Sequence, residues 1–201
     1  MHLLTLTIGK SGSGKSTLVR HQARHHRRLL AHDPNGEAIY PDQGWIATAD
    51  RAELVELLSD PRACRVAWRG AMMTDDEGAR VEAFEFANRC AWAAGSLAVI
   101  WDEVDMFTRR GQLPPVGYRI VNAGRHRGLV VYACTRRPYD VPRSLSAAAT
   151  RVCCFRITEP RDVAYVRSIA GPAADRLPTL PRLHALDWTE YGARFRLAPF
   201  D

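Results

Sequence analysis

Apolar runs of strand length alternate along this chain with amphipathic stretches of helical spacing, and each boundary carries a turn or capping signal. The first run ends at Ile8 and gives way to a glycine-serine loop, after which Ser16 to about His26 reads as a helix. Leu29 opens a second strand that ends in a Pro/Asn/Gly turn at Asp33-Pro34-Asn35-Gly36-Glu37. Asp50 with Glu53 forms a capping box ahead of Leu54, Leu57 and Leu58 on one helical face, and Cys64 to Trp68 is a short third strand. A second box, Thr74 with Glu77, predicts a helix whose core face holds Val81, Phe84, Ala87 and Ala91 and which stops at Gly95. Phe84, Phe86 and Trp92 are expected in the core rather than as base-stacking platforms.

Leu97 to Trp101 is apolar throughout, as a central parallel strand buried on both faces must be. Pro114 and Pro115 suit the first turn of a helix running to about Gly124; Gly128–Thr135 and Arg151–Ile157 are again strand-like, and Pro160–Ala170 is a helix closed by Gly171-Pro172. Strands and helices alternating at this spacing predict an α/β domain with a mostly parallel central sheet flanked by helices, spanning residues 1–170. Residues 171–201 are expected to add a Pro-rich, non-regular connector from Gly171 to Leu183 and a hairpin of Leu183–Thr189 with Ala193–Ala198, packed on or extending from the same domain.

The loop itself reads GKSGSGKST and meets the phosphate-binding pattern G-x-x-x-x-G-K-[ST] at Gly9, Gly14, Lys15 and Ser16, with a strand before it and a helix after. Its glycines let successive N–H groups turn toward an anion, and the helix N-terminus adds a positive dipole end. Gly9, Lys10, Ser11, Gly12, Ser13, Gly14, Lys15, Ser16 and Thr17 are therefore the expected ATP-binding residues, with Lys15 reaching the β- and γ-phosphates and the Ser16 hydroxyl a ligand of Mg2+. Only two of the 28 basic residues are lysines, Lys10 and Lys15, and both lie in this loop. A compact ammonium fits a crowded phosphate cradle where a guanidinium does not, which explains Lys15 but not Lys10.

A length of 201 residues suits one domain, and the formal charge of +6 suits a polyanionic partner, although Arg-rich, Ala-rich usage also follows from genome base content. Arg20, Arg24, His25, His26, Arg27 and Arg28 form either a solvated basic face or a phosphate-backbone contact. Five cysteines, Cys64, Cys90, Cys134, Cys153 and Cys154, show no zinc spacing and are expected as reduced thiols of a cytoplasmic protein. Neither a leader peptide nor an apolar run of membrane-spanning length is visible, so a soluble protein is expected.

In a parallel α/β sheet the loops at the strands' carboxyl ends meet in one crevice, which would bring Asp102-Glu103 to the phosphate loop. Asp102 is then placed to hold magnesium opposite Ser16, and Glu103 to orient and polarise an attacking water, as a hydrolase requires.

The ordered set Asp33-Pro34-Asn35-Gly36-Glu37, Asp102-Glu103, Gly124-Arg125-His126-Arg127-Gly128 leading to Thr135-Arg136-Arg137-Pro138, and Thr150-Arg151-Val152 entering the strand with Phe155-Arg156 resembles the FtsK-HerA superfamily of DNA-pumping ATPases. That resemblance covers about Leu3 to Ile157 and implies a RecA-like (ASCE) P-loop NTPase core. The short chain is similar to the genome-packaging ATPases of membrane-containing icosahedral viruses. This implies a pentameric or hexameric homo-oligomeric ring that drives double-stranded DNA into a capsid, with phosphate rather than base contacts and with capsid or portal-vertex proteins as docking partners. In a virus, the place of action would be the host cytoplasm, with association to the virion.

Ring ATPases complete their sites with an arginine from the neighbouring subunit; Arg125 and Arg127 are the candidates, with Arg119 and Arg137 behind them. The family usually carries Gln where this chain has Arg136, which could donate to the same γ-phosphate oxygen. Three other readings stay open: a filamentous-phage assembly or secretion ATPase, a metabolite or nucleoside kinase, of whose lid Arg109-Arg110-Gly111 is the one hint, and a non-hydrolysing nucleotide-binding interaction module.

Overall fold

Successive strand residues point to opposite faces, and the sheet sorts them into two cores. A computed structural model describes residues 4–62, 64–108 and 111–201; Leu3 of the first apolar run and the kinase-like Arg109-Arg110 lie outside the described residues. In chain order the elements are β1 (Leu4–Ile8), α1 (Lys15–Ala23), β2 (Arg28–His32), α2 (Ile39–Asp42), β3 (Ile46–Thr48), α3 (Arg51–Ser59), β4 (Cys64–Trp68) and α4 (Glu77–Ala94). There follow β5 (Ala98–Trp101), α5 (Pro115–Ala123), β6 (Val130–Thr135), α6 (Arg143–Ala148), β7 (Arg151–Phe155), α7 (Pro160–Ala170), β8 (His184–Thr189) and β9 (Gly192–Leu197). The strands form one nine-stranded sheet in the order β3-β4-β2-β5-β6-β1-β7-β8-β9. Every pairing from β3 to β7 is parallel, and β8 and β9 close the far edge antiparallel.

On one face, Leu6, Ile8, Leu30, Val66, Val99, Trp101, Val131 and Val152 pack under Leu54 of α3, Phe84 and Ala87 of α4, Ile120 of α5, Leu145 of α6 and Val166 of α7. The intervening residues Leu29, Ala31, Ala67, Ile100, Val130 and Cys134 face the other way, beneath Val19 and Ala23 of α1 and Tyr40 of α2. Burial on both faces is what the uninterrupted apolar run of β5 requires. Register then fixes the functional geography: Leu4 stands opposite Val131 and Ile8 opposite Thr135, so the loops after β1, β5 and β6 emerge at one end of the sheet.

Several local expectations shift. The Asp50 carboxylate does cap α3, accepting from the N–H groups of Ala52 at 2.7 Å and Glu53 at 2.9 Å, but Glu53 takes the Thr48 hydroxyl at 2.5 Å and the Asp50 N–H goes to Thr48 Oγ1 at 3.0 Å. The box is thus closed through Thr48. Thr74 does not cap α4: Asp76 does, accepting from Ala79 N–H at 2.7 Å, while Thr74 accepts the Asp76 N–H in a local turn. The connector after α7 is not irregular; residues Gly171–Thr179 form a 3-10 helix, whose first turn tolerates Pro172 because that position has no partner for an N–H. The first helix ends at Ala23, before the expected His26. All five cysteines are free, and among the described residues no helix is long and apolar enough to cross a membrane.

Candidate functional site

Residues 9–14 connect β1 to α1, and their backbone is shaped for close approach. Gly12 and Gly14 adopt left-handed φ values of 71° and 101°. At Gly9 a Cβ would lie 2.7 Å from Ser13 Oγ and 2.8 Å from Phe155 Cβ, so only glycine fits. No side chain caps the start of α1, and Ser13 Oγ is buried without a partner, leaving the first N–H groups of the helix and one hydroxyl available to an anion. Lys15, 5% exposed, donates from its ammonium to the Lys10 carbonyl at 3.2 Å and so lies within the loop's own turn. Lys10 ties the loop to the segment after β7 by donating to Thr158 Oγ1 at 2.9 Å, a role that composition alone did not explain.

Across from the loop, Ser16 Oγ donates to Asp102 Oδ2 at 3.4 Å. Asp102 is 3% exposed; burial first, then repulsion from Glu37 and Glu103, pushes its carboxyl up to about 6 against the pull of Lys15 and Arg20. Glu103, 8% exposed, sits in the left-handed region at φ 49°, ψ 53° and is ion-paired with Arg136 from the end of β6. Holding a non-glycine residue there costs about 1 kcal/mol or more, and its effect is to turn consecutive carboxylates different ways.

Glu37 belongs to this group and was not read as a site residue. Arg20, one helical turn beyond Ser16, pairs with it at 3.4 Å, and Asp33 builds the turn that presents it by accepting the Glu37 N–H at 2.9 Å and the Arg69 Nε at 2.9 Å. The signal in sequence was the polar turn at the end of a buried strand. Asp105 is a second addition: its Oδ1 is buried without a partner, and burial raises its carboxyl despite the Thr135 hydroxyl.

Buried carboxylates, one of them in contact with a serine hydroxyl, fit a hydrated divalent cation. Among the described residues no three His, Cys, Asp or Glu side chains are grouped so as to hold a metal by themselves. Ser16 and Asp102 would supply two oxygens and leave the others to water and phosphate, the usual manner for magnesium.

The candidate arginines divide. Arg136 reaches this end of the sheet, and Arg137, exposed, follows it on the same loop. Arg125 and Arg127 precede β6 and therefore stand at the opposite end, away from their own chain's loop. Arg127 caps α4, donating to the carbonyls of Trp92 at 3.1 Å and Ala93 at 2.9 Å, and Arg125 Nε meets His126 Nε2 at 3.3 Å. Arg119 lies on the Trp92 ring at 4.1 Å.

Beside the loop, a cavity of about 330 Å³ is lined by Lys10–Ser13, Phe155, Arg156, Thr158 and Pro181–His184. Leu183, itself left-handed at φ 62°, brings the C-terminal connector over Gly14. This contribution of the tail was invisible in sequence because it depends on β8 pairing with β7.

No protein-family model and no curated protein matches the chain. Solved structures do. B204, the DNA-packaging ATPase from Sulfolobus turreted icosahedral virus, superposes with a TM-score of 0.73 at 21% identity, covering 98% of each chain. The genome-packaging NTPase B204 of Sulfolobus turreted icosahedral virus 2, in complex with ATP-gammaS, gives 0.71 at 18% identity over 96% of this chain and 94% of that one. VirB4 of Thermoanaerobacter pseudethanolicus gives 0.67 at 9% identity over 95% and 87%. The chain has the fold of the FtsK-HerA-type P-loop ATPases.

Proposed function

We propose that this protein is an ATP-hydrolysing motor that moves double-stranded DNA, acting as a homo-oligomeric ring to package a viral genome. The observation that carries this reading is the convergence of Lys15, Ser16, Asp102 and Glu103 at one end of the sheet, with the phosphate loop and the carboxylates joined by the Ser16–Asp102 contact. The likeness to B204 structures bound to ATP-gammaS and AMPPCP supports a nucleoside triphosphate at that loop.

In this reading the loop's N–H groups and Lys15 hold the phosphates, and the base and ribose extend into the cavity between Phe155 and Leu183. Ser16 and Asp102 would hold Mg2+, which when bound would supply positive charge to the phosphate oxygens. Glu103 accepts a hydrogen bond from the attacking water and orients it in line with the terminal phosphate. Arg136, ion-paired with Glu103, supplies positive charge at the same place and stands where the family usually has Gln.

Duplex DNA is held through its phosphates, the ring acts in the host cytoplasm, and portal-vertex or other capsid proteins dock it. A secretion or phage-assembly ATPase, of the kind that serves conjugation, is the second reading, supported by the likeness in fold to the pCW3 conjugation coupling protein TcpA. Phosphate release, measured with and without duplex DNA and with no small acceptor, tests the proposal: stimulation by DNA supports a motor, and dependence on a nucleoside acceptor refutes it.

A further inference from the structure

Carboxylates gather at the carboxyl ends of the parallel strands, where Lys10, Lys15, Arg69, Arg136, Arg137 and Arg156 also lie, whereas the amino ends carry a row of basic residues. Asp33, Glu37, Asp102, Glu103 and Asp105 all follow strands, at the carboxyl ends around the nucleotide loop. Arginines and histidines precede strands at the amino ends, from segments far apart in sequence. Arg27 precedes β2, Arg62 precedes β4, Arg65 is its second residue, and Arg125 and Arg127 precede β6.

Hydrogen bonds to main-chain carbonyls lock these segments into one row. The Cys64 N–H donates to the Arg27 carbonyl at 3.1 Å, Arg65 Nη2 to the Arg24 carbonyl at 3.0 Å, Arg28 Nη1 to the Gly95 carbonyl at 2.9 Å, and the Ser96 N–H to the Arg127 carbonyl at 2.8 Å. Because β4, β2, β5 and β6 are consecutive neighbours, the row spans three strand spacings, about 14 Å. Along one strand of a duplex that length carries about four phosphates.

The carboxylates on this rim are largely spent: Asp60 is held by Arg62 at 2.5 Å and Asp201 by Arg24 at 2.7 Å, leaving Glu56. Among the described residues, Arg27, Arg65, Arg125 and Arg127 form no ion pair with a carboxylate. Arg27, Arg62 and Arg65 also line a concavity of about 660 Å³ that opens between them. Arg127 has a structural use as the cap of α4, and Arg65 a similar one at the carbonyl of Arg24 that ends α1, since a helix C-terminus favours a cation there. Arg27 and Arg125 are exposed and cap no helix carbonyl, so helix capping does not account for them.

We infer that the amino-terminal rim of the sheet, built around Arg27, Arg65 and Arg125, is the surface that grips the phosphate backbone of duplex DNA, opposite the nucleotide loop. This rests on the proposed motor function, of which it specifies the DNA-contacting face. The arrangement keeps DNA at the end of the sheet opposite the nucleotide loop, Asp102 and Glu103.

The test is the binding of a labelled 30-base-pair duplex to the full chain as a function of salt. Charge is removed at the rim by Arg27→Gln with Arg125→Gln, separately by Arg65→Gln, and at the opposite end by Arg161→Gln, whose guanidinium lies near the Tyr139 ring. The double rim variant should bind DNA about tenfold to a hundredfold more weakly at 0.1 M salt, with the slope of log affinity against log salt reduced by about two. R65Q should lose less, R161Q should bind as the unaltered chain does, and all should bind a non-hydrolysable ATP analogue normally. A rim variant with undiminished DNA affinity, or equal losses in R161Q, overturns the assignment while leaving the motor reading intact. An unaltered chain that binds the analogue but no duplex overturns both. If the rim variants bind DNA normally and lose turnover instead, Arg125 acts on the neighbour's nucleotide and the rim is not the DNA face.

Discussion

Arg136 and Glu103 form an ion pair that bridges the ends of adjacent strands β6 and β5. The arginine side chain is 45% exposed and that of the glutamate 11% exposed, so the mobile partner is the cation and the fixed one is the carboxylate at its left-handed backbone position. On the proposed function Arg136 orients Glu103 and shares its charge with the terminal phosphate. Arg136→Ala should lower the maximal rate of phosphate release at least about tenfold while changing nucleotide affinity less than about threefold. Arg136→Gln, which keeps a donor at that position, should recover part of the rate. Unchanged turnover in R136A would remove the arginine from the chemistry.

A second prediction concerns pH. The Asp102 carboxyl is raised from 3.8 to about 6, so the native state binds its proton more tightly than the unfolded chain does. The desolvation penalty is therefore fully present above about pH 6 and is relieved as pH falls toward 4; the shift corresponds to about 3 kcal/mol. Asp102→Asn should make the nucleotide-free protein more stable than the unaltered chain at pH 8, with the difference vanishing near pH 4. Buried His32, held down to about 3 by burial despite the Asn88 contact, acts in the opposite sense by losing stability as pH falls from 6.5. That loss is common to both proteins and cancels in the comparison. Denaturant unfolding at several pH values measures the difference, and a gap independent of pH would contradict the assignment.

The C-terminal strands depend on one buried ion pair. Arg151 Nε and Nη2 meet Asp187 Oδ1 and Oδ2 at 2.7 and 2.8 Å, with 6% and 8% of the two residues exposed, and Arg196 adds a contact at 3.3 Å. Asp187→Ala leaves Arg151 buried without its counter-charge and should destabilise the protein by about 3 to 5 kcal/mol. Replacing both partners by Met and Leu should recover most of that loss. Chemical denaturation checks both, and a loss below about 1 kcal/mol in D187A would show the pair to be dispensable.

A methyl group at Gly9 would collide with Ser13 and Phe155, whereas at Gly12 it would meet nothing within 4 Å. Gly9→Ala should therefore weaken binding of an ATP analogue at least about a hundredfold, since the cradle must open to admit the Cβ. Gly12→Ala pays only the cost of its φ of 71° and should weaken binding less. Calorimetric titration with the analogue distinguishes the two, and equal affinities would show that the loop is softer than its packing.

The parts of the fold readable in sequence were those in which one physical requirement dominates. β5, an uninterrupted apolar strand, had to be central, and the spacing of Gly9, Gly14, Lys15 and Ser16 had to close a loop. Strand β3 was missed because three residues at a sheet edge show no alternation, and α6 because six residues fall short of two full helical periods. Prolines 172 and 178 suggested a break, yet the first turn of a helix needs no N–H from Pro172, and the 3-10 helix continues through Pro178 to Thr179. The meeting of Lys15, Ser16, Asp102 and Glu103 at one end of the sheet was legible from motif and strand-end logic. Glu37 lay in a quoted turn but its approach to Asp102 depends on tertiary contact, and Asp105 and Leu183 were placed only by contacts between segments distant in sequence.

The central claim, that Glu103 acts on water beside phosphates held by the loop, is tested most directly by Glu103→Gln. Binding of ATP and phosphate release are measured on the same preparation with duplex DNA present. The account predicts ATP affinity within about threefold of the unaltered chain and phosphate release reduced at least about a hundredfold. Turnover retained in E103Q would contradict it.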